Sequence, residues 1–307
     1  MRRTDVADAL FAGRGREGEA GLLSVRGLSK HFVEGKGSTR RTLAALVEVS
    51  LDIRAGECVG LVGESGSGKT TLARIMSGLL AADGGTIRFR GIDLTPRAFR
   101  ENPQIRHQIQ IVFQNPFQSL NPRRTIFHSL TLPLRNFHAL DLGVARRRAG
   151  EMLEQVELKG DLLDRYPSEL SGGQCQRIAL ARALAAEPQM LLLDEAVASV
   201  DALTAVRLMD LLRRLRSDRR LAFLFISHDL GLVASFADRI AVLERGRLVE
   251  TGPTLDVYRA PSHPYTRRLL EASEAVVFSP AEIGSKGGPQ APHPICARME
   301  GSDDESS

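Results

Sequence analysis

Apolar positions along the chain gather into short continuous runs separated by stretches of helical period. Val59 to Val62, Ile109 to Phe113, Met190 to Leu193 and Ala222 to Ile226 are the apolar runs, and such runs mark strands buried on both faces of a parallel sheet. Between them the period lengthens: Leu72, Ile75, Met76 and Leu79 predict one helix, Met152, Leu153 and Val156 within 144–158 a second, and 202–216 a third. The alternation through Leu22, Val25 and Leu28, and again through Val47, Val49 and Leu51 within 43–53, predicts antiparallel strands joined by the Gly-Lys-Gly-Ser loop at 35–38. Gly84-Gly85 turns the chain into a further strand, 86–90, and Ile240 to Leu243 with Arg247 to Thr251 read as a hairpin around Arg245-Gly246. The order is α/β: a parallel-sheet core, an N-terminal antiparallel β layer and an inserted helical subdomain.

Texture divides the chain further. Residues 1–20 are rich in Gly, Arg, Ala and Glu without sustained period and read as a disordered tail. The main domain covers 21–260, with the helical insertion at about 115–186, where prolines 116, 122 and 133 precede the 144–158 helix. Residues 261–307 form a C-terminal extension whose last part reads as disordered.

Composition narrows the class. The apolar content of 43% and charged content of 25% are those of a soluble globular chain. No apolar run approaches the roughly eighteen residues that span a bilayer. The opening residues lack the apolar segment export requires, which places the chain in the cytosol as an expectation. Net charge is only +4, and the arginine-rich stretches 146–148 and 213–220 fall in helical segments as solvated faces, so no nucleic-acid partner is expected. Cys58, Cys175 and Cys296 show neither metal spacing nor even pairing and read as reduced thiols.

Chemistry concentrates after the first apolar run. Gly63, Glu64, Ser65, Gly66, Ser67, Gly68, Lys69, Thr70 and Thr71 contain G-x-x-x-x-G-K-[ST] between a strand and a helix. The glycines let successive amides point inward around phosphate oxygens, Lys69 supplies a mobile charge for the β and γ phosphates, and the Thr70 hydroxyl is a magnesium ligand. A flexible turn before a core helix is the alternative, and both flanking contexts argue against it. Asp194 and Glu195 close the Met190 run, so Asp194 can face the metal while Glu195 faces a water in line with the γ phosphate. Either alone could be a helix-cap carboxylate. His228 follows the Ala222 strand, where a side chain can reach the same end of the sheet, although a lone histidine is usually structural. The glycine-rich helix start Ser171-Gly172-Gly173-Gln174 is either a second anion grip or an ordinary N-cap.

Taken together, these residues resemble the ATP-binding cassette family over about 22–272. The resemblance sets Phe32 at the adenine-stacking position, Gly63–Thr70 as the Walker A loop and Gln114 as the Q-loop glutamine beside the magnesium. It sets Leu170 to Gln174 as the signature, Leu191 to Glu195 as Walker B, Ser199-Val200-Asp201 as the D-loop and His228 as the switch histidine. It implies ATP and Mg2+ as cofactors, Glu195, His228 and Gln114 as the catalytic set, and Thr70, Gln114 and Asp194 at the metal. It also implies a head-to-tail pair with a second cassette subunit, each site closed by the opposite signature. Gln114 to Arg123 and His263 to Ala272 are similar to the peptide/nickel branch of binding-protein-dependent importers. That branch implies two transmembrane permease subunits, an extracytoplasmic solute-binding protein acting indirectly, and a peripheral place on the cytoplasmic face of the inner membrane. Ala196, where most cassettes have proline, looks like nickel-importer subunits, so nickel, a metal chelate and short peptides stay open as cargo. The tail lacks the multi-cysteine cluster of many peptide subunits, and Cys296 alone cannot hold one. A soluble cassette ATPase acting on ribosomes or DNA is the rival class; those carry tandem cassettes or long coiled-coil insertions, which this chain does not show. Phe117, Leu120 and Phe127 are expected to line a groove for a membrane subunit's cytosolic helix, the alternative being that they seal the insertion's own small core.

Overall fold

The computed structural model describes residues 21–35, 40–138, 140–197 and 201–273. The expected N-terminal tail, most of the 35–38 loop, Ser199-Val200, Cys296 and the acidic end lie outside these residues.

Two sheets form the frame. The first is antiparallel, ordered β2-β1-β4-β5, from β1 (Leu23–Glu34), β2 (Arg41–Ile53), β4 (Gly84–Phe89) and β5 (Ile92–Asp93). Its register pairs Leu23 with Ile53 and Val25 with Leu51, which puts the predicted alternating apolar residues on one buried face. The second sheet is ordered β10-β9-β3-β8-β7-β6 and contains β3 (Cys58–Val62), β6 (Ile109–Val112), β7 (Met190–Asp194), β8 (Ala222–Ile226), β9 (Arg239–Glu244) and β10 (Arg247–Pro253). All of its pairings are parallel except β9 with β10. Every residue of β3, β7 and β8 is buried, as continuous apolar runs in a two-sided sheet require.

Helix α1 (Lys69–Met76) follows β3. It is shorter than its apolar period suggests: it ends at Ser77, and Leu79 lies beyond it, 61% exposed. Gly78 ends the repeat with φ 74°, and a Cβ there would stand 2.4 Å from the Phe99 ring, so the chain turns where the pattern alone would continue. Short helices α2 (Pro96–Glu101) and α3 (Pro103–Gln108) lead into β6.

Between β6 and β7 the chain is helical, with α4 (Ile126–His138), α5 (Leu142–Gln155) and α6 (Gly172–Leu184). The prolines conceal α4, because Pro133 lies inside it without breaking it. Hydroxyls line the preceding turns: Ser129 Oγ donates to the Thr125 carbonyl at 3.2 Å and Thr131 Oγ1 to the Phe127 carbonyl at 2.7 Å. Leu120 is buried with Ile126, Leu130, Met152 and Leu153, so it belongs to the core, contrary to its expected place in a docking groove. Phe127 is partly buried, with the Arg146 guanidinium 4.9 Å from its ring centre; only Phe117 of the three is exposed. The arginines of α5 pair with Glu151 and Asp164 as a solvated face.

Past β7 come α7 (Ala202–Arg219), α8 (Leu230–Ala234) between β8 and β9, and, after β10, α9 (Thr254–Arg259) and α10 (Pro264–Ser273).

Candidate active site

The phosphate loop leaves the C-terminal end of β3 and is packed too closely for side chains at two glycines. A Cβ on Gly63 would stand 2.2 Å from the Leu243 carbonyl oxygen. One on Gly68, where φ is 108°, would stand 2.4 Å from the Ala45 carbonyl oxygen. The loop is therefore wedged between the end of β9 and the antiparallel sheet. The turn after β9 braces it through Gly246 N donating to the Ser67 carbonyl at 2.9 Å. Helix α1 starts at the loop with no side-chain cap and no acidic residue in its first turn, which leaves its N-terminal amides and dipole facing an anion site. Lys69 is 5% exposed and folds back into the loop, donating to the carbonyls of Gly63 and Glu64, each at 2.7 Å. Burial lowers its pKa below the ordinary lysine value, and the nearby carboxylates of Glu195, Asp194 and Glu64 oppose that shift. Glu64, Ser65 and Gly66 are exposed at the loop's crown, and Thr71 is half-buried behind it.

Parallel pairing brings the carboxylates to the same end. Leu61 of β3 is paired with Ile226 of β8, and Ile226 with Asp194 of β7, so all three strands finish level. Thr70 Oγ1 donates to Asp194 Oδ1 at 3.1 Å. Asp194 is 5% exposed; burial pushes its carboxyl above the ordinary aspartate value, the Thr70 hydrogen bond opposes this and the Glu195 charge adds to it. Glu195 leaves the strand with φ 49°, in the left-handed region, while its amide donates to the Ile226 carbonyl at 3.0 Å. Its Oε1 lies 3.6 Å from Nδ1 of His228. Two separate pairs result: a hydroxyl with a buried carboxylate, fit to hold a divalent cation, and a more accessible carboxylate with an imidazole, fit to accept a proton from water.

The remaining candidates lie on other elements. Gln114 is exposed two residues past Val112, which pairs with Leu193, and so lies near the level of Glu195. Phe32 is half-buried opposite Leu43 in β1, two residues from the Ala45 whose carbonyl abuts Gly68, with Lys30 Nζ 5.6 Å from its ring centre. Ser171 caps α6 in a reciprocal box: Gln174 N donates to Ser171 Oγ at 3.2 Å, and Ser171 N to Gln174 Oε1 at 2.9 Å. Among the described residues, Ser171 and Gln174 bond to each other rather than to the loop, and Ser171 and Gly172 face solvent with Gly173 half-buried. Asp201 caps α7 by accepting from Thr204 N at 2.9 Å, which holds its carboxyl below the ordinary aspartate value.

Two polar residues of α6 were missed as connections. Gln176, 1% exposed, donates to the Phe113 carbonyl at 3.2 Å, and Arg182 donates to the Ser119 carbonyl. Together they tie the Ser171 helix to both ends of the segment around Gln114. The available signal was weak, since Gln176 and Arg182 are two of four polar side chains on this helix, with Gln174 and Arg177.

The sequence pattern described as ABC transporter matches residues 46–198. A putative peptide import ATP-binding protein of Brucella ovis is 46% identical over 256 residues, covering 83% of this chain and 79% of that one. The oligopeptide transport ATP-binding protein OppF of Lactococcus lactis is 38% identical over 258 residues, covering 83% and 81%. In three dimensions the chain is similar to an ATP-binding cassette solved as a dimer in a post-hydrolysis state bound to ADP and phosphate. The TM-score is 0.69 at 30% identity, over 76% of this chain and 99% of the other.

Proposed function

The chain belongs to the ATP-binding cassette transporter family, and on that premise we propose that it is the ATP-hydrolysing subunit of an importer of short peptides. The observation that carries the chemistry is the convergence at one sheet end of Lys69, the Thr70–Asp194 pair at 3.1 Å and the Glu195–His228 pair at 3.6 Å. In this reading the loop amides and Lys69 hold the ATP phosphates, and Phe32 stacks on the adenine. Thr70 and Asp194 take a magnesium ion, with Gln114 completing its surroundings. The fit rests on a nine-tenths buried carboxylate facing a hydroxyl at the mouth of an uncapped helix. Held by Thr70 and Asp194, a magnesium ion would supply positive charge against the charge that develops on the transferred phosphate. Glu195 accepts the attacking water's proton, and His228 orients that carboxylate and contacts the γ-phosphate side.

The exposed Ser171–Gln174 helix start suits a second grip on ATP held by another cassette subunit, with Asp201 beside it. ATP contacted from both sides then favours the closed pair in a way ADP cannot. Among the described residues no helix is long and apolar enough to cross a membrane. The transport names of the relatives support two permease subunits as partners, with this chain peripheral on their cytoplasmic side. A solute-binding protein acts on it through them. The peptide and oligopeptide names of the relatives favour peptide over nickel as cargo, and they give a ribosome- or DNA-acting role no support. As domains, we propose 21–260 as the cassette, 115–186 as its helical insertion and 261–307 as an extension. The test is reconstitution with the permease pair and binding protein encoded beside it. ATP turnover rising with peptide-loaded binding protein is expected; stimulation by nickel-loaded protein alone would move the cargo assignment, and no stimulation by either would remove the importer reading.

A further inference from the structure

The His263-Pro264-Tyr265-Thr266 segment resembles a branch motif but has no role in the chemistry above. Its placement supplies one. The Glu250 carboxylate accepts from the amides of Ser262 at 2.8 Å and His263 at 3.0 Å, and His263 Nδ1 accepts from Tyr265 N at 3.2 Å, so the start of α10 is built before the helix begins. Tyr265 is 3% exposed, and Leu270 one helix face further on joins the main core. Arg268 lies 5.8 Å over the Tyr265 ring and 3.6 Å from Glu244 at the end of β9. So anchored, the phenol oxygen accepts a hydrogen bond from Glu64 N at 2.8 Å, across 201 residues of sequence.

That amide belongs to a peptide unit held from its other side as well. The unit joining Gly63 and Glu64 has its carbonyl oxygen bonded by Lys69 Nζ at 2.7 Å and its N–H bonded to Tyr265. Two bonds at opposite edges fix the plane of one peptide, and the plane decides where the first residues of the loop and the Lys69 ammonium sit. Burial raises the Tyr265 phenol above its ordinary pKa, so the hydroxyl stays neutral in any physiological buffer.

We propose that Tyr265 is a positioning residue for the phosphate loop, through which the seating of α10 sets the affinity for ATP. This rests on the reading of Gly63–Thr70 as the ATP loop. Without the phenol oxygen the 63–64 peptide samples other orientations, and the measured affinity falls with the fraction of molecules whose loop is competent.

The test uses the full chain and MgATP as the probe, comparing parent, Tyr265→Phe and Tyr265→Leu. Loss of one neutral hydrogen bond corresponds to about a threefold to tenfold weaker affinity. Tyr265→Phe keeps the ring and should show that loss in both Kd and KM, with kcat at saturating ATP within about twofold and a melting temperature within about 3 °C of the parent's. Tyr265→Leu should show the same affinity loss and a lower melting temperature. An affinity of the Phe variant equal to the parent's, with loss only in the Leu variant, overturns the proposal, since the ring and not the hydroxyl would then matter. A drop in kcat without a change in Kd overturns it too. A parent chain that fails to bind MgATP removes the loop assignment itself, and the inference with it.

Discussion

Phe117 and Leu120 lie three residues apart in the segment joining Gln114 to the helical insertion, the first exposed and the second buried. Leu120 is 1% exposed within the main core. Its truncation to alanine leaves a cavity, and such changes cost about 2–5 kcal/mol. For a chain of this size that lowers the melting temperature by about 5–10 °C. Phe117 is 47% exposed. Full burial of a phenylalanine is worth about 1.5–3 kcal/mol, so a half-buried ring contributes about 1 kcal/mol. Phe117→Ser should therefore shift melting by about 2–3 °C at most. The same segment contributes Ser119 and Asn121 to a cleft also lined by Arg124, His128, Leu132 and Arg182, with Leu132 50% exposed. Exposed apolar side chains such as Phe117 and Leu132 are what a docked helix would cover. The assay is calorimetric melting of each variant, ATP turnover of the isolated subunit, and pull-down of the permease pair. Leu120→Ala should melt early, whereas Phe117→Ser should melt and turn over ATP like the parent yet fail to retain the permeases. A Phe117→Ser complex that assembles and transports normally refutes the docking argument, and a Leu120→Ala protein of parental stability refutes the packing argument.

Other expectations follow from the same geometry. Lys69→Ala removes the charge that the loop carbonyls hold in place and should weaken MgATP binding by at least about tenfold, the equivalent of about 1.4 kcal/mol; titration calorimetry giving an affinity within threefold of the parent contradicts the loop assignment. Phe32→Ala should weaken binding only about threefold to tenfold, as loss of one aromatic stack does; unchanged affinity with a lower melting temperature would make Phe32 a packing residue alone. Burial raises the Asp194 carboxyl above its unfolded value, so its contribution favours the fold below the unfolded pKa and is lost as pH rises through the folded one. At pH 7 the ionised group is a cost, and nucleotide-free Asp194→Asn should melt no lower than the parent while losing most of the stabilisation that MgATP confers. A variant that melts lower without nucleotide shows that the carboxylate is structural.

Much of this arrangement could be read from the residues, and the exceptions have physical causes. The strand Ala222–Ile226 matches its apolar run end for end, because a strand buried on both faces has no polar position to blur its limits. The cluster of Lys69, Thr70, Asp194, Glu195 and His228 follows from strand order once parallel pairing levels the strand ends. Helix α4 was hidden because Pro133 reads as a breaker, and only the third dimension shows Ser129 and Thr131 bonding backward along it. Leu120 looked like surface because a proline-rich connector suggests a loop, yet the connector folds its leucine inward. The Tyr265–Glu64 contact could not be read at all, since no local pattern encodes a hydrogen bond between a distant phenol and a backbone amide.

The central claim is that Glu195, held beside His228 at the end of β7, removes the proton from the water that attacks ATP. Glu195→Gln keeps the shape of the side chain and its place beside the imidazole but not its basicity. The most direct test is ATP turnover of this variant measured alongside its MgATP affinity. Affinity near the parent's and turnover lower by at least about a hundredfold are expected, with the variant accumulating as an ATP-bound dimer. Turnover close to the parent's at equal affinity would contradict the claim and make His228 the group to examine as the base.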